Sequence, residues 1–274
     1  MSDATIPADR QKRIHVLLSQ KGVVTVAELT RMFGVSELTI RRDLDVLSRK
    51  GVLERTHGGA ISNQRMSAEP LYSQKGNIRR REKELIGIAA AMLAEDGDTL
   101  LINSGSTTLE VIRNLREKKV KVITSNAGAI PEAIGSEMEI ILLGGLYRPR
   151  SNSMVGALAR LSLQQVYGSK AFIGTDGISL KYGLTTPILD EAEIAREMID
   201  RTPGPVIVVA DHSKLRVVSN FITAPADKVD ILVTDEKIDT ELKLGFEKMG
   251  IDIIIASSNS QQESHGKEVD AKRS

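Results

Sequence analysis

The sequence contains no cysteine, which excludes disulfide bonds, thiol catalysis and thiolate metal sites. Its four histidines show neither HxxxH nor HxH spacing, so no metal site is predicted. No cofactor is expected either. The pattern GxxxxGK[ST] does not occur, which disfavours nucleotide binding through a P-loop. Because there is no apolar run of about 18 residues and no apolar centre of a signal peptide near the start, we expect a cytoplasmic protein without a membrane partner.

The chain of 274 residues is long enough for a small and a medium-sized folding unit, and its charge is divided unevenly between them. Residues 1–85 carry 16 Lys and Arg against 10 Asp and Glu, whereas the remaining residues carry 21 against 26. A basic first part joined to an acidic second part indicates nucleic acid binding at the N-terminal end. A solvated basic surface is the alternative explanation of the charge alone.

Residues 1–62 show three helical segments in the order of a helix-turn-helix domain. The first covers residues 10–19, where apolar side chains fall on one helical face. A short second helix begins with a capping box, in which Thr25 and Glu28 satisfy exposed N–H groups of the first turn. Gly34 then permits a tight turn before the third helix.

The third helix, "VSELTIRRDLDVLSRKG", has the features of a recognition helix. Ser36 is placed as its N-cap, and Ile40, Leu44 and Leu47 are spaced to pack inward. The polar and basic side chains of its first turns therefore face outward, as in a helix that enters the DNA major groove. A solvated face with local pairing to the following aspartates is the alternative. The candidate DNA contacts here are Ser36, Glu37, Thr39, Arg41 and Arg42.

The next segment, "VLERTHGGAI", alternates around Gly58 and Gly59 as a β-hairpin does. A hairpin in this place would be the wing of a winged helix and would contact DNA phosphate. Arg55 and His57 are its candidate DNA contacts. For His57 alone, a hairpin residue without a ligand role is the favoured interpretation.

Apolar runs separated by helix-length segments fill most of the remaining chain, after a polar linker at 63–84. The runs are "TLLIN", "VKVIT", "MEIILL", "KAFIG", "PVIVVA", "DILVT" and "IDIIIA". This alternation predicts an α/β fold with a largely parallel sheet covered on both faces, over residues 85–256. Residues 257–274 are polar and without periodicity, which predicts a disordered tail.

Polar segments follow five of these runs: "INSGSTT", "TSN", "GG", "GTDG" and "DHSK". Ligands of such folds gather at the C-terminal ends of the strands, so these segments should meet at one edge. Glycines let backbone N–H groups approach an anion, hydroxyls add donors, and the following helix contributes its positive end. Phosphate plus polyol is the predicted ligand. The candidate contacts are Asn103, Ser104, Gly105, Ser106, Thr107, Thr108, Asn126, Gly144, Gly145, Asp176, Glu191 and Lys214.

The segment "VSELTIRRDLDVLSRKGVLERTHGGA" resembles the N-terminal winged helix of the DeoR family of bacterial transcription regulators. The segments "INSGSTT", "ITSN", "LLGG", "FIGTDGIS", "GLTT" and "ADHSK" are similar to that family's sensor domain, so the resemblance spans about residues 10–255. It implies an α+β winged helix-turn-helix domain followed by an effector-binding and oligomerisation domain. The latter would be an α/β sensor domain that resembles the ribose-5-phosphate isomerase fold.

The resemblance also implies a function. We expect a repressor of a carbohydrate uptake or catabolism operon that binds double-stranded operator DNA, is modulated by a phosphorylated sugar and forms a dimer or tetramer. Two alternatives stay open: a sugar-phosphate isomerase fused to a DNA-binding domain, and a DNA-binding protein whose second part only oligomerises. No enzyme is predicted, because the isomerase pattern carries further acidic residues close behind Asp176, and none occurs here before Asp190.

Two positions depart from the family pattern. Asn103 stands where many members have Asp, and Ala195 stands where many have Lys. A neutral amide in place of a carboxylate changes which hydroxyl or amine can be bound. We therefore expect Asn103 to influence which effector this protein recognises.

Overall fold

The computed structural model describes residues 6–21, 23–50, 52–56, 58–62 and 72–258. The first four ranges form the N-terminal unit, whose helices and hairpin follow the predicted order. Its elements are α1 (Pro7–Lys21), β1 (Val23–Thr25), α2 (Val26–Phe33), α3 (Glu37–Arg49), β2 (Leu53–Thr56) and β3 (Gly59–Ser62). The first helix begins before the predicted residue 10, and β1 was not predicted.

Both predicted helix starts are confirmed by hydrogen bonds. The hydroxyl of Thr25 accepts from the N–H of Glu28 at 3.1 Å, and that of Ser36 accepts from the N–H of Thr39 at 3.3 Å. Gly34 ends α2 with a φ of +64°, a left-handed conformation that glycine adopts without strain. The turn between α2 and α3 is therefore fixed by local sequence.

The N-terminal unit has its own hydrophobic core under a three-stranded antiparallel sheet in the order β1-β3-β2. β1 lies so close to β3 that a Cβ on Gly59 would come within 2.0 Å of the carbonyl oxygen of Val24. Only glycine fits at this crossing. The buried apolar side chains are Ile14, Leu18, Val24, Val26, Leu29, Phe33, Ile40, Leu44, Leu47, Leu53 and Ala60.

The second unit alternates strands and helices from residue 72 onward. Its elements are α4 (Tyr72–Asn77), α5 (Arg80–Ala91), β4 (Thr99–Ile102), α6 (Ser106–Arg113), β5 (Lys121–Thr124), α7 (Ile130–Ala133), β6 (Glu139–Leu142), β7 (Leu146–Arg148), β8 (Ser153–Val155), α8 (Ala157–Leu163), β9 (Lys170–Gly174), β10 (Gly177–Ser179), β11 (Gly183–Thr186), α9 (Leu189–Asp200), β12 (Val206–Val209), β13 (Phe221–Ala224), β14 (Ile231–Asp235), α10 (Thr240–Lys248) and β15 (Asp252–Ala256). Short 3-10 turns lie at Ala127–Ala129, His212–Lys214 and Ala226–Lys228.

All seven predicted runs form strands of one parallel sheet, in the order β15-β14-β12-β9-β4-β5-β6. Successive side chains of a strand point to opposite faces of a sheet, so each strand contributes side chains to the hydrophobic cores on both faces. In β4, Leu101 belongs to one hydrophobic cluster, whereas Leu100 and Ile102 belong to the other. The predicted α/β fold with a parallel sheet covered on both faces is confirmed.

Five short strands were not predicted. β7 and β8 form an antiparallel hairpin, and β10, β11 and β13 form a separate antiparallel sheet. Each has only three or four residues, and several, such as "GLTT", lack the apolar character that the prediction relied on. Two of the pairings, β7 with β8 and β10 with β11, are local hairpins between strands of three or four residues, which are too short for a clear alternation. The pairing of β11 with β13 spans more than 30 residues, so no short window of sequence reveals it.

The predicted linker at 63–84 includes residues that the structure places in helices. α4 lies wholly within it, and α5 begins at Arg80. A helix was expected to follow this linker through "LIGIAAAMLAEDG", but the polar composition of the linker concealed the first turn of α5, where Lys83 is buried. Residues 63–71 and the predicted disordered tail from residue 259 onward lie outside the described residues. Within the described ranges, no helix combines the length and apolar character needed to cross a membrane.

Candidate DNA-binding surface and effector site

The outward face of α3 presents the predicted DNA contacts. Ser36 and Thr39 lie at its start, with their hydroxyl oxygens 2.9 Å apart, and Arg41 and Arg42 are exposed one turn later. Leu38, which sequence reasoning did not select, is 60% exposed on the same first turn. An exposed apolar side chain here can contact a thymine methyl group. The first turns of α3 therefore offer hydroxyl, cationic and apolar contacts together.

The predicted alternative for the arginines of α3 was local pairing with the aspartates that follow them. Instead, Asp43 pairs with Arg10 of α1, and Asp45 pairs with Arg55 of the hairpin. Arg41 lies 3.6 Å from the carboxylate of Glu37, and both side chains are solvent-exposed, so this pair is weak. Both arginines are available to DNA.

Arg55 holds the wing against α3. Its Nη1 donates to the carbonyl oxygen of Gly59 at 3.0 Å, and its Nε lies 3.0 Å from a carboxylate oxygen of Asp45. These contacts fix the hairpin relative to the recognition helix. His57, the other predicted wing contact, lies outside the described residues.

A cavity opens at the C-terminal edge of the parallel sheet, where the polar segments were predicted to meet. Eight of the twelve candidate effector contacts line it. They are Asn103, Ser104, Gly105, Ser106, Thr107, Asp176, Glu191 and Lys214. The loop 103–107, which runs from the end of β4 into the first turn of α6, contributes five of these residues, so it forms one wall of the cavity.

The start of α6 faces this cavity. Its N-cap is Gly105, which has no side chain to satisfy the exposed N–H groups of the first turn. The exposed N–H groups of the first turn form the positive end of the helix dipole, and Ser106 and Thr107 of this turn line the cavity. This geometry suits an anion such as phosphate.

Two of the predicted effector contacts instead hold this loop in place from the protein interior. The hydroxyl oxygen of Thr108 lies 2.8 Å from the carbonyl oxygen of Asn103. The side-chain amide of Asn126 donates to the carbonyl oxygen of Gly105 at 3.0 Å. Thr108 and Asn126 are fully buried and do not line the cavity, so their role here is to shape the loop.

Asn103 lines the cavity, but its amide is engaged with the neighbouring strand. Its Nδ2 donates to the carbonyl oxygen of Gly174 at 2.9 Å, and its Oδ1 accepts from the N–H of the same residue at 2.8 Å. A carboxylate could make only the second bond. Asn103 therefore clamps the ends of β4 and β9 together.

The predicted pair Gly144 and Gly145 lies outside the cavity lining. Gly145 has a φ of +141°, and a Cβ there would come within 2.5 Å of the carbonyl oxygen of Val155. A tight backbone crossing beside the β7–β8 hairpin requires this glycine. A glycine pair after a strand has the same sequence pattern whether it binds an anion or forms a tight backbone crossing. The sequence alone therefore predicted a ligand contact here.

Asp176 lies at the centre of the charged groups in the cavity. Its Oδ1 is 2.9 Å from Nζ of Lys75 and 3.5 Å from Nζ of Lys214, and its Oδ2 accepts from the hydroxyl of Thr186 at 3.1 Å. Burial alone would raise the pKa of this carboxyl, but the two ammonium groups and the hydrogen bonds lower the pKa below its ordinary value. Asp176 is therefore an ionised acceptor.

Glu191, the second predicted carboxylate, lies at the start of α9. Its Oε1 is 2.8 Å from Nη1 of Arg148 and accepts from the hydroxyl of Ser153 at 3.3 Å. These partners come from the β7–β8 hairpin that the sequence did not predict. Glu191 thus connects the hairpin to the cavity wall.

Lys83 on α5 is a third lysine in the cavity wall. It is only 5% exposed, and its Nζ donates to the carbonyl oxygen of Lys75. Burial lowers the pKa of Lys83 to about 8, although the nearby carboxylate of Asp211 acts in the opposite direction. Lys83 therefore changes its charge at a lower pH than an ordinary lysine does.

Sequence reasoning missed a group of residues that line the cavity. Three of them, on α4 and α5, come from the segment interpreted as a linker, and the others come from strands or the residues beside them, from the β7–β8 turn and from helix α9. A lysine among the apolar residues of "EKELIGIAAAML" was the available signal for Lys83. The missed residues are Tyr72, Lys75, Lys83, Ser125, Ser151, Ser153, Val155, Gly174, Thr175, Thr186, Ile194 and Thr223. Ala195, noted in the sequence only as a departure from the family pattern, also lines the cavity.

Two family models match the chain along most of its length. The DeoR-like helix-turn-helix domain matches residues 10–66, and the DeoR C terminal sensor domain matches residues 78–236. The chain belongs to the DeoR family. The winged helix of this DeoR-family protein is its DNA-binding domain, the α/β unit is its sensor domain, and the protein is a transcription regulator.

Relatives of this DeoR-family protein are similar over their full length. The transcriptional repressor AccR of Agrobacterium fabrum is 34% identical over 91% of this chain and 97% of its own. The putative aga operon transcriptional repressor of Escherichia coli O157:H7 is 32% identical over 90% and 93%, respectively. The regulator GlpR of Haloferax volcanii is 31% identical over 91% and 98%.

Solved structures similar to this DeoR-family protein are more distant. Ribose 5-phosphate isomerase A from Methanocaldococcus jannaschii is 20% identical, with a TM-score of 0.36 over 48% of this chain and 53% of its own. A chain of the tetrameric eIF2B-beta2-delta2 complex from C. thermophilum is 16% identical, with a TM-score of 0.41 over 56% and 55%. The DeoR-family chain thus spans about half the length of each.

Proposed function

We propose that this protein is a repressor of a carbohydrate uptake or catabolism operon and that a phosphorylated sugar modulates its binding to operator DNA. One observation carries the proposal: the uncapped start of α6 and three lysines line the same cavity as two carboxylates. The names of two relatives, a repressor of the aga operon and a repressor AccR, support the repressor role.

The phosphate would bind at the loop 104–107. The N–H groups at the start of α6 and the hydroxyls of Ser106 and Thr107 supply donors, and Lys214 supplies positive charge from the facing wall. Phosphate oxygens accept hydrogen bonds only, so a site made of donors selects for them.

The sugar hydroxyls would bind on the opposite side of the cavity. Asp176 and Glu191 are held as acceptors by their cationic partners, and the hydroxyls of Ser153 and Thr186 can donate or accept. A hydroxyl group donates one hydrogen bond and accepts others, so this mixed set suits a polyol. Phosphate at one end and acceptors at the other distinguish a sugar phosphate from inorganic phosphate.

Operator DNA would bind at the N-terminal unit. The exposed first turns of α3, with Ser36, Thr39, Arg41 and Arg42, would enter the major groove, while Glu37 borders the same face. The wing, with Arg55 and His57, would follow the phosphate backbone. Such domains bind paired half-sites, so we also propose a homo-oligomer, a dimer or a tetramer.

The effector must bind the DNA-free arrangement better than the DNA-bound one, because a ligand with equal affinity for both shifts no equilibrium. A coupling free energy of about 1–3 kcal/mol, or roughly 5- to 150-fold in operator affinity, is typical. Linkage requires that operator DNA weaken effector binding by the same factor.

A thermal-shift screen with paired ligands tests the sensor role. Each phosphorylated sugar or sugar alcohol is compared with its unphosphorylated form on the full chain, and ligands that raise the melting temperature enter an operator gel shift. We expect a rise only with a phosphorylated compound, together with release of DNA. Equal stabilisation by the unphosphorylated partner would contradict the phosphate site, and binding without any effect on DNA would contradict the regulatory role.

The site supports sensing rather than catalysis. Both cavity carboxylates are ion-paired, Asp176 with Lys75 and Lys214 and Glu191 with Arg148, which favours constant ionisation over the exchange of protons. Incubation of the protein with a panel of aldose phosphates tests this. Turnover at about 1–10³ s⁻¹, the ordinary enzyme range, would establish the isomerase alternative instead.

A further inference from the structure

Helix α4 is the first described element after residues 63–71, which connect it to the DNA-binding domain. Its sequence, "YSQKGN", contains no aliphatic side chain and includes glycine, asparagine and serine, which are poor helix formers. An isolated helix of six residues is not stable in water. Helix α4 therefore depends on its tertiary contacts.

These contacts are polar, and most belong to the effector cavity. The N–H of Tyr72 donates to the carbonyl oxygen of Arg150 at 2.8 Å in the turn between β7 and β8. Nζ of Lys75 lies 2.9 Å from Asp176, and the carbonyl oxygen of Lys75 accepts from Nζ of Lys83. Helix α4 also packs against α6, whose start faces the cavity. The groups that hold α4 are thus groups that a ligand would contact.

Cationic side chains are concentrated around helix α4, with the carboxylates of Asp176 and Asp211 among them. Lys75, Lys83 and Lys214 line one cavity, and Lys75 and Lys214 share a single carboxylate, that of Asp176. Lys75, Lys214 and Arg79 all act to lower the pKa of Lys83, which reflects their mutual repulsion. An anion in the cavity would relieve this repulsion and give Lys75 a second partner.

We propose that Lys75 is the residue through which an anion in the sensor cavity stabilises helix α4, the element that joins the sensor domain to the DNA-binding domain. The inference rests on the proposed function, since it requires an anionic ligand in this cavity. Lys75 acts here as a positioning residue: its side chain senses the charge in the cavity, and its backbone belongs to the helix that is stabilised.

Hydrogen exchange of the full chain, with inorganic phosphate as the probe, tests this. Amides that exchange through local opening report the stability of the element that contains them. In the wild-type protein, saturating phosphate should slow exchange across residues 72–77 about fivefold or more, a factor at the lower end of ordinary coupling. Helix α10, remote from the cavity lining, serves as the internal reference and should not change.

Three variants distinguish an effect of the positive charge of Lys75 from a general effect of the substitution on folding. Lys75→Met should lose the phosphate-dependent slowing, Lys75→Arg should retain it, and the exposed control Lys228→Met should behave as wild type. Each variant is compared at phosphate concentrations that saturate its own melting temperature. Phosphate-dependent slowing in Lys75→Met equal to that of the wild type would overturn the inference.

The result also distinguishes this inference from the proposed function. If phosphate raises the wild-type melting temperature but leaves exchange at residues 72–77 unchanged, the anion site stands and the role of Lys75 is wrong. If neither inorganic phosphate nor any phosphorylated compound of the thermal-shift screen raises the wild-type melting temperature, the anion site itself is wrong, and the inference falls with it.

Discussion

Nε of Arg10 on α1 lies 2.5 Å from a carboxylate oxygen of Asp43 on the recognition helix α3, and both residues are at most 5% exposed. Nε2 of Gln11 donates to the other carboxylate oxygen of Asp43 at 2.9 Å. Removal of one member of such a buried pair is costly, because the other charge is then left desolvated without a partner. The pair therefore fixes how α3 sits on α1, and with it the face that α3 presents to DNA.

Replacing Asp43 by Ala should destabilise the DNA-binding domain by about 3–5 kcal/mol, because Arg10 would remain buried without its carboxylate. Urea unfolding of the full chain measures the loss, and operator binding should fall with it while effector binding persists. The double variant Arg10→Met/Asp43→Leu leaves no buried charge and should recover much of the stability. A loss below about 1 kcal/mol in Asp43→Ala would show that the pair does not stabilise the domain.

Arg41→Ala/Arg42→Ala should abolish specific operator binding and leave effector binding intact, since both side chains are exposed on the first turns of α3. A bidentate arginine–guanine contact contributes about 1–3 kcal/mol of discrimination. Gel shifts with operator and with unrelated DNA measure the change. Arg49→Ala is the matched control, because this arginine is exposed at the far end of the same helix. An equal loss in the control would assign only general electrostatic attraction to these arginines.

Lys214→Ala should show the reverse pattern. Its ammonium group faces Asp176 across the effector cavity and is far along the chain from the DNA-binding domain. We expect operator binding as in the wild type but a loss of release by the effector, measured by gel shift over an effector titration. Loss of both activities in this variant would argue against the division into two functional domains.

Effector affinity should fall as the pH rises through about 8. Lys83 carries its charge below that pH, whereas a phosphate monoester is already a dianion above about pH 6. We expect calorimetric titrations to show a decrease of roughly three- to tenfold between pH 7 and 9, because one proton is involved. Lys83→Met should lose this dependence, and a pH profile unchanged by the substitution would contradict the role of Lys83.

The stability of the fold should change in the opposite direction over this range. The pKa of Lys83 in the folded protein, about 8, lies below its ordinary value of 10.5. Between these values the unfolded chain binds more protons, so this lysine makes the free energy of unfolding increase with pH. A weaker effector affinity at pH 9 would therefore not reflect unfolding through this group.

Asn103→Asp should lower stability by about 1–3 kcal/mol, because the carboxylate cannot donate to the carbonyl oxygen of Gly174 and leaves it unsatisfied. Thermal melts measure this, with the exposed Asn220→Asp as the control. The sequence led us to expect that Asn103 influences effector choice. If Asn103→Asp has unchanged stability but an altered ligand preference in the thermal-shift screen, Asn103 serves to select the effector and not to hold β4 and β9 together.

The elements that local patterns encode could be predicted without the structure. Caps at Thr25 and Ser36 and the glycine at position 34 fix the helix-turn-helix, because each acts within a few residues of chain. The seven apolar runs predict the parallel sheet, since a strand covered on both faces must be apolar throughout. The loop after β4 could be predicted as part of the site for the same reason: strand ends meet at one edge.

Which polar residues line the cavity and which support it from the interior depends on the tertiary fold. Lys75 meets Asp176 across 101 positions of sequence, and Arg148 meets Glu191 across 43, so no local window contains either pair. Burial, which shifts the pKa of Lys83 and assigns Thr108 to the loop interior, also depends on the whole fold. The segment that looked like a linker became part of the site because polar residues with distant partners carry no periodic signal.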